Sequence, residues 1–502
     1  MINSLYEKLI ESKTGDLIPL TISGKTLESR YNPLNDIERT YASIKIDCDF
    51  CVILGIQSGL LINEILRNNP NIFILAIENT YSDINLLMNS DLIKSLSKLS
   101  NIVFSSIEDL SKNLINYFKP VFFNKIQVIE QRNWIQENKN ICQNIFDTIN
   151  TTLNIISRDF SVQSHFGKLW MHNFFSNLKY LQYTNSNFHL PLDKTAIILG
   201  AGPSVDYKLK DIIINRKKYF IIATDTSFES LNKMKVSADA VLSIDAQYIS
   251  SNHFLNAINE NTIFIFDICG NSSAVNKIFH YSKNIFFFNS GHPLSNLFDY
   301  ENQNILLNLY SGSGTVTITA LDFAVKSGFS DIQILGADFG YINNKTYMSG
   351  TYLDNLYNSS STKISSNEFS FSKLMYRIPL IKKSNVKSTT EVLENYETSL
   401  IEYLKNNNLN FLYKEDIYFI NQTKSLNTNC YNFENKIFKY EEWFSKYINY
   451  FSINNEISIY NLQAEEYSLL PLMSFLKKHD NNSIIGVNHL YKKAIDFLER
   501  YK

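Results

Sequence analysis

Ala196-Ile197-Ile198-Leu199-Gly200-Ala201-Gly202-Pro203-Ser204-Val205-Asp206 is the stretch that decides the fold of this chain. Four apolar residues read as a buried strand, two glycines allow a tight turn, and Pro203 suits the first turn of a helix. A strand that feeds a helix through a glycine turn opens a doubly wound parallel sheet. Working outward, the alternation repeats, with strands expected at Ala196–Leu199, Phe220–Thr224, Ala240–Ile244, Thr262–Ile268, Ile285–Asn289 and Ile332–Leu335. Towards the amino terminus, Cys51–Ile56, Ile72–Glu78 and Ile102–Ser105 read as strands, alternating with helical stretches at Leu60–Leu66, Ile84–Leu99 and Leu110–Phe118. The expected fold class is therefore α/β, with two Rossmann-like doubly wound sheets.

Between and around the sheets the pattern changes. Residues 1 to about 45 read as a helix followed by the polar connector SRYNPLNDIER. From Ile135 to Tyr183 the only glycine is Gly167 and there is no proline, which predicts long connecting helices. Beyond Ser359 the chain turns polar, then helical over Thr389–Asn406 and from Glu434 onward. The organisation expected is an amino-terminal Rossmann-like domain (1–132), a helical linker (133–188), a central domain (189–358) and a mainly helical carboxyl-terminal domain (359–502).

Composition narrows the function. The 502 residues hold 47 Lys plus Arg against 49 Asp plus Glu, a formal charge of −2, so no overall positive field draws the chain to nucleic acid or membrane. No apolar run is long enough to span a bilayer, the first residues do not resemble a secretion signal, and a cytoplasmic location is expected. Cys48 and Cys51 form a CxxC, but no second pair completes a zinc tetrad, and they read as core-facing thiols. Cys142, Cys269 and Cys430 stand alone. With only 16 glycines and 9 prolines, below the usual shares of roughly 7% and 5%, the places where glycines do cluster carry information.

Ligands of open parallel sheets bind beyond the carboxyl ends of the strands. At that edge the second sheet delivers Gly200-Ala201-Gly202-Pro203-Ser204, an expected backbone cradle for an anion at a helix start. It then delivers Thr224-Asp225, Asp245 and Asp267, polar groups suited to hydroxyls or to a metal-bridged phosphate. A second small-residue turn, Ser311-Gly312-Ser313-Gly314-Thr315, opens another helix as a second anion cradle. The last strand leads into Gly336-Ala337-Asp338-Phe339-Gly340 and an aromatic loop, Tyr341 to Tyr357, with Gly350 as a pivot for closure. No GxxxxGK[ST] pattern occurs, which excludes a P-loop kinase. In the first sheet, Gly55, Gly59 and Glu78 make a partial nucleotide signature, with Gln57 where close approach needs glycine.

Four segments together, LGAGPSVD (Leu199–Asp206), ATDTSF (Ala223–Phe228), SGSGTVTITALDFAVKSG (Ser311–Gly328) and ILGADFGYINNKTYMSGTY (Ile334–Tyr352), resemble the motility-associated factor (Maf) glycosyltransferases. SRYNPLNDIER and VILGIQSGLLINEIL resemble that family's amino-terminal domain. The resemblance implies a cytoplasmic, inverting enzyme that moves a nonulosonic acid, of pseudaminic or legionaminic type, from CMP to Ser or Thr of flagellin. A more distant similarity to bacterial sialyltransferases that use CMP-sialic acid implies roles. Gly200, Gly202, Pro203 and Ser204 would hold the nucleotide, Asp225 and Asp245 replace two asparagines, Ser313 and Gly314 match a small-residue turn, and Tyr341 and Tyr347 would donate to the departing phosphate. The carboxylates at 225 and 245 would contact ribose hydroxyls or a divalent cation such as Mg²⁺; no covalent cofactor is implied. The sialyltransferase histidine has no counterpart, because none occurs between His292 and His479, and the base is left unassigned; His292 is a candidate, with Asp338 or Asp245 as alternatives, while a helix-capping residue before Pro293 is the more ordinary reading of such a histidine. The 6-hydroxymethylpterin pyrophosphokinases share the same central domain and imply a diphosphokinase using ATP and Mg²⁺, although their His-rich loop is missing. A non-catalytic flagellin-binding module is the third reading.

Overall fold

The structure, a computed structural model, describes residues 2–184, 190–255, 258–312, 314–422, 438–480 and 486–501. The chain forms two compact units, residues 1–167 with 451–498, and residues 168–450 with 499–502. Ser313 and Cys430 fall outside the described residues.

In the first unit, β1 (Tyr6–Glu11) and β2 (Leu17–Thr21) pair antiparallel across a turn in which Gly15 takes φ +90°. This corrects the expected amino-terminal helix. The turn-forming Thr14-Gly15-Asp16 separates two short half-buried runs, and only Pro33–Ser43 is helical in this region. The sheet behind it holds β3 (Phe50–Leu54), β4 (Phe73–Glu78), β5 (Ile102–Ser106) and β6 (Ile126–Glu130), parallel and in the order β5-β4-β3-β6. Every residue of β3 and β4 is buried, as an inner strand covered on both faces requires.

The glycine turn after β3 is filled from within. Glu78 is fully buried, and its carboxylate accepts from Tyr6 Oη at 3.0 Å, Ile56 N at 3.0 Å, Asn79 N at 3.0 Å and Trp134 Nε1 at 2.5 Å. A Cβ on Gly55 would lie 2.7 Å from the Trp134 ring. The acid of the partial nucleotide signature therefore serves the fold, with its lone pairs taken by protein donors.

The second unit contains a sheet of β7 (Thr195–Leu199), β8 (Tyr219–Thr224), β9 (Ala240–Ser243), β10 (Ile263–Asp267), β11 (Ile285–Asn289), β12 (Leu307–Asn308) and β13 (Asp331–Leu335), all parallel. A small antiparallel sheet follows from β14 (Tyr341–Ile342), β15 (Ile381–Lys382) and β16 (Lys387–Thr389). The hairpin β17 (Asn410–Lys414) and β18 (Ile417–Asn421) then adds antiparallel to β13, giving β12-β11-β10-β9-β8-β7-β13-β18-β17. The chain runs outward from β7 to β12 and returns on the other side of β7 as β13. The order of the strands thus reverses between β7 and β13, and the crevice of a doubly wound sheet opens there. Ile198, Ile222, Leu242, Ile265 and Ile334 pack in one core with Ile318, Leu321 and Phe323 of the helix Val316–Ser327.

The long helix expected before the central sheet spans Lys139–Leu181 as 43 residues. The division into units departs from the expected boundaries at 132, 188 and 358. Residues 359–502 are not one helical body, since β17 and β18 extend the central sheet and 451–498 join the first unit. There Gly167 meets the helix Leu470–His479 so closely that a Cβ would sit 1.8 Å from the Pro471 carbonyl.

Burial pushes the Glu78 carboxyl up to about 7, while the donors of Trp134, Asn79 and Ile56 oppose that rise. Above that pH the carboxylate accepts all four bonds, and an amide cannot replace it without turning an N–H towards a buried donor. Glu78→Gln is expected to destabilise the first unit by about 3 kcal/mol at pH 8, read as a lowered urea midpoint with an unchanged slope.

Candidate active site

Two loops cross at the reversal between β7 and β13. Gly200 N–H donates to the Leu335 carbonyl at 2.8 Å, and Gly202 N–H to the Gly336 carbonyl at 2.9 Å. Ser204 donates from its N–H to Asp338 Oδ2 at 2.9 Å and from Oγ to Asp338 Oδ1 at 2.5 Å. The expected anion cradle is therefore corrected, because the amides of Gly200, Gly202 and Ser204 already have protein acceptors. These glycines are needed for close approach. A Cβ on Gly200 would lie 2.5 Å from the Gly336 oxygen, and Gly336 itself sits at φ +72° with Val205 Cγ2 2.5 Å from its Cβ position.

The crossing forms the floor of a cleft of about 380 Å³. Of the residues expected at the site, Ala201, Gly202, Thr224, Asp225, Gly314, Thr315, Asp338, Tyr341 and Tyr347 line it. On one wall, Thr315 caps the helix Val316–Ser327 without a side-chain hydrogen bond, and Thr315, Val316 and Thr317 line the cleft. On another, Asp225 begins the helix Asp225–Lys233, accepting from Thr226 N at 2.7 Å and from Ser243 Oγ at 2.7 Å. Asp338 is buried, and that burial raises its carboxyl above the usual range against the lowering effect of Ser204. Burial pushes the Tyr347 phenol up to about 12, with Tyr341, Tyr352, Tyr357 and Asp225 adding to the rise, and also raises Tyr341.

Other expected residues lie elsewhere. Gly200, Pro203 and Ser204 do not line the cleft, and Gly200 and Ser204 make hydrogen bonds of the crossing. Asp245 is not among the residues that line the cleft; it accepts from Gln247 N at 2.9 Å, and burial raises its carboxyl, with the neighbouring Asp225 carboxylate adding to the rise. Among the described residues no group of three or more His, Cys, Asp or Glu is placed to hold a metal. Ser311 Oγ donates to the Ser290 carbonyl, and Gly312 packs on Tyr310; neither lines the cleft. Ser313 is outside the described residues. His292 is not positioned as a base. It caps the helix Pro293–Glu301, its Nδ1 accepting from Leu294 N at 3.2 Å, and burial pushes its pKa down to about 3.

Several contributors were not anticipated. Thr346 lines the cleft, is buried, and its hydroxyl has no hydrogen-bond partner among the described residues. Leu393 and Tyr396 reach the cleft from the helix Glu391–Asn406, a contact between distant segments that no local pattern announces. His253 packs edge-on against Tyr352, with ring centroids 4.7 Å apart. The strand-end loops are held by two asparagines one turn apart on the long helix. Asn173 Nδ2 donates to the Ala246 and Cys269 carbonyls, and Asn177 Nδ2 to those of Ile268 and Gly270. Buried amides that meet four carbonyls fix both loops without any charge.

Fold and site together define a Rossmann-like α/β protein with a strand-end cleft. The family described as 6-hydroxymethylpterin diphosphokinase MptE-like matches residues 168–344. Two uncharacterized proteins of Treponema pallidum (strain Nichols) are similar, one 43% identical over 109 residues (22% of this chain, 52% of that protein) and one 32% identical over 149 residues (29% and 52%). The chain spans about half the length of the curated relatives it matches. A solved structure of the MAf glycosyltransferase from Magnetospirillum magneticum AMB-1 aligns with a TM-score of 0.48 at 11% identity, covering 100% of this chain and 87% of the other. No helix among the described residues is long and apolar enough to cross a membrane.

Gly202 tests the crossing directly. A Cβ there would sit 2.5 Å from Asp338 Oδ2 and 2.6 Å from the Gly336 oxygen, so Gly202→Ala must part the two loops. The expected cost is about 2–3 kcal/mol, measured by urea denaturation of the full chain. An unchanged midpoint would show that the loops tolerate separation.

Proposed function

We propose that this chain is an inverting glycosyltransferase that moves a nonulosonic acid of pseudaminic or legionaminic type from its CMP-activated donor to Ser or Thr of flagellin. The observation that carries the reading is the donor wall formed by one loop, where Tyr341, Thr346 and Tyr347 line the same cleft and the Thr346 hydroxyl has no partner among the described residues. Among the described residues no lysine or arginine lines the cleft, although Lys387 acts electrostatically on Asp338. Charge that develops on a leaving phosphate would be met by phenol and hydroxyl donors and by the amides at the start of the helix Val316–Ser327. The donor and acceptor identities come from the sequence resemblance.

In the reaction, the acceptor hydroxyl oxygen bonds to the anomeric carbon as the bond from that carbon to the CMP phosphate oxygen breaks. The hydroxyl proton passes to a carboxylate. Asp338 is the residue assigned to this role, since it lines the cleft, is fixed by two bonds from Ser204, and is shifted by burial towards the range in which a base is effective. Tyr347 retains its proton below about pH 11, given its pKa of about 12, and so remains a donor throughout the working range.

The MptE-like match to residues 168–344 favours a second reading, a diphosphokinase that uses ATP and Mg²⁺. The two separate by ligand. CMP is expected to raise the melting temperature without added metal, whereas stabilisation by ATP with Mg²⁺ and not by CMP would favour the diphosphokinase. Response to neither would favour a non-catalytic flagellin-binding module. Tyr347→Phe is expected to lower sugar transfer by about 10²- to 10³-fold while CMP stabilisation persists. Transfer at the unmodified rate would remove Tyr347 from the leaving-group role.

A further inference from the structure

We infer that residues 360–390 form a docking surface for an acidic, aromatic-containing polypeptide that feeds the cleft. The inference rests on the protein-glycosylating reading, in which an acceptor chain must be held while one hydroxyl reaches the cleft.

Charge is the first observation. This segment contains six basic residues (Lys363, Lys373, Arg377, Lys382, Lys383, Lys387) and one acidic residue, Glu368, in a chain whose formal charge is −2. Lys383 pairs with Glu394, while Lys363, Lys373, Arg377 and Lys382 form no ion pair among the described residues. The positive charge is therefore concentrated here and left largely uncompensated by the protein.

Apolar exposure is the second. Ile364 is 97% exposed, Tyr376 65% and Phe369 59%, with Ile378, Ile381 and Val386 exposed as well. Scattered single residues of this kind are ordinary, but six within one short basic segment mark an interaction site.

The third observation is connection to the cleft. β14 pairs with β16 through Tyr341 opposite Ser388 and Ile342 opposite Lys387. Asn343 N–H donates to the Val386 carbonyl at 2.8 Å, and Thr389 Oγ1 to the Phe339 carbonyl at 2.7 Å. A chain seated on the segment would thus be tied to the loop that presents Asp338, Tyr341 and Tyr347.

A polypeptide fits better than an anionic membrane. Among the described residues β15 pairs with β16 alone, so Ile381 and Lys382 present a short sheet edge with backbone donors and acceptors. An extended chain can pair with such an edge, and its carboxylates and aromatic rings can meet the basic and apolar side chains beside it. Lipid cannot pair with the edge.

The test uses the full chain and a fluorescein-labelled glutamate–tyrosine copolymer, with binding read by anisotropy. The copolymer is expected to bind more weakly as salt rises. Combined Lys363→Glu, Lys373→Glu, Arg377→Glu and Lys382→Glu should weaken it by at least about tenfold, and Phe369→Ser with Tyr376→Ser by severalfold. Both variants should keep the CMP thermal shift of the unaltered protein. Absence of binding, equal binding by both variants, or tighter binding to phosphatidylserine vesicles than to the copolymer would overturn the inference. If CMP causes no shift while the copolymer pattern holds, the docking surface stands and the transferase reading falls.

Discussion

The close crossing of two strand-end loops governs the second unit. β7 and β13 are adjacent parallel strands from opposite ends of the domain sequence, and their following loops must pass within backbone contact to open a cleft. Only residues without a Cβ permit this, which is why Gly200, Gly202 and Gly336 meet there. Asp338 then holds the crossing through Ser204 and still presents its carboxyl to the cleft. One contact therefore sets both the backbone path and the place of an acidic group.

The first unit solves the equivalent turn in another way. Its glycine loop after β3 receives Trp134 and its acid Glu78 is occupied by four protein donors. A buried carboxylate with all its lone pairs engaged is a structural brace, whatever its position along a nucleotide-like sheet. The same supersecondary pattern supports a cleft in one unit and a filled core in the other. The difference lies in which side chain enters the turn.

This explains what was legible in the residues. Continuous apolar runs such as Ile263–Asp267 and their spacing predict parallel strands, because an inner strand must be apolar on both faces. The helix after Gly314 and the tyrosines after Asp338 were legible for the same local reason. Donor use was not legible: a glycine turn looks the same whether its amides meet a phosphate or the neighbouring loop. His292 illustrates the limit, since a strand-end histidine before proline is more often a helix cap than a base, and its burial and its bond from Leu294 N decide for the cap. Leu393, Tyr396 and the β17–β18 hairpin depended on long-range pairing, which local periodicity does not encode.

The distribution of charge links the site to its surroundings. The cleft presents Asp225 and Asp338 without a lysine or arginine among its lining residues, while basic residues concentrate in the adjoining segment 360–390. A fixed cation inside the cleft would hold a phosphate in both the bound and the departing state, lowering the free energy of each. In the proposed reaction, phenols would favour the state in which the leaving oxygen has gained charge, because their bonds to it would strengthen as that charge develops. On the proposed reading, positive charge on the outer segment would act on the approach of the acceptor, where it raises association, and would leave discrimination between ground and transition states to short hydrogen bonds.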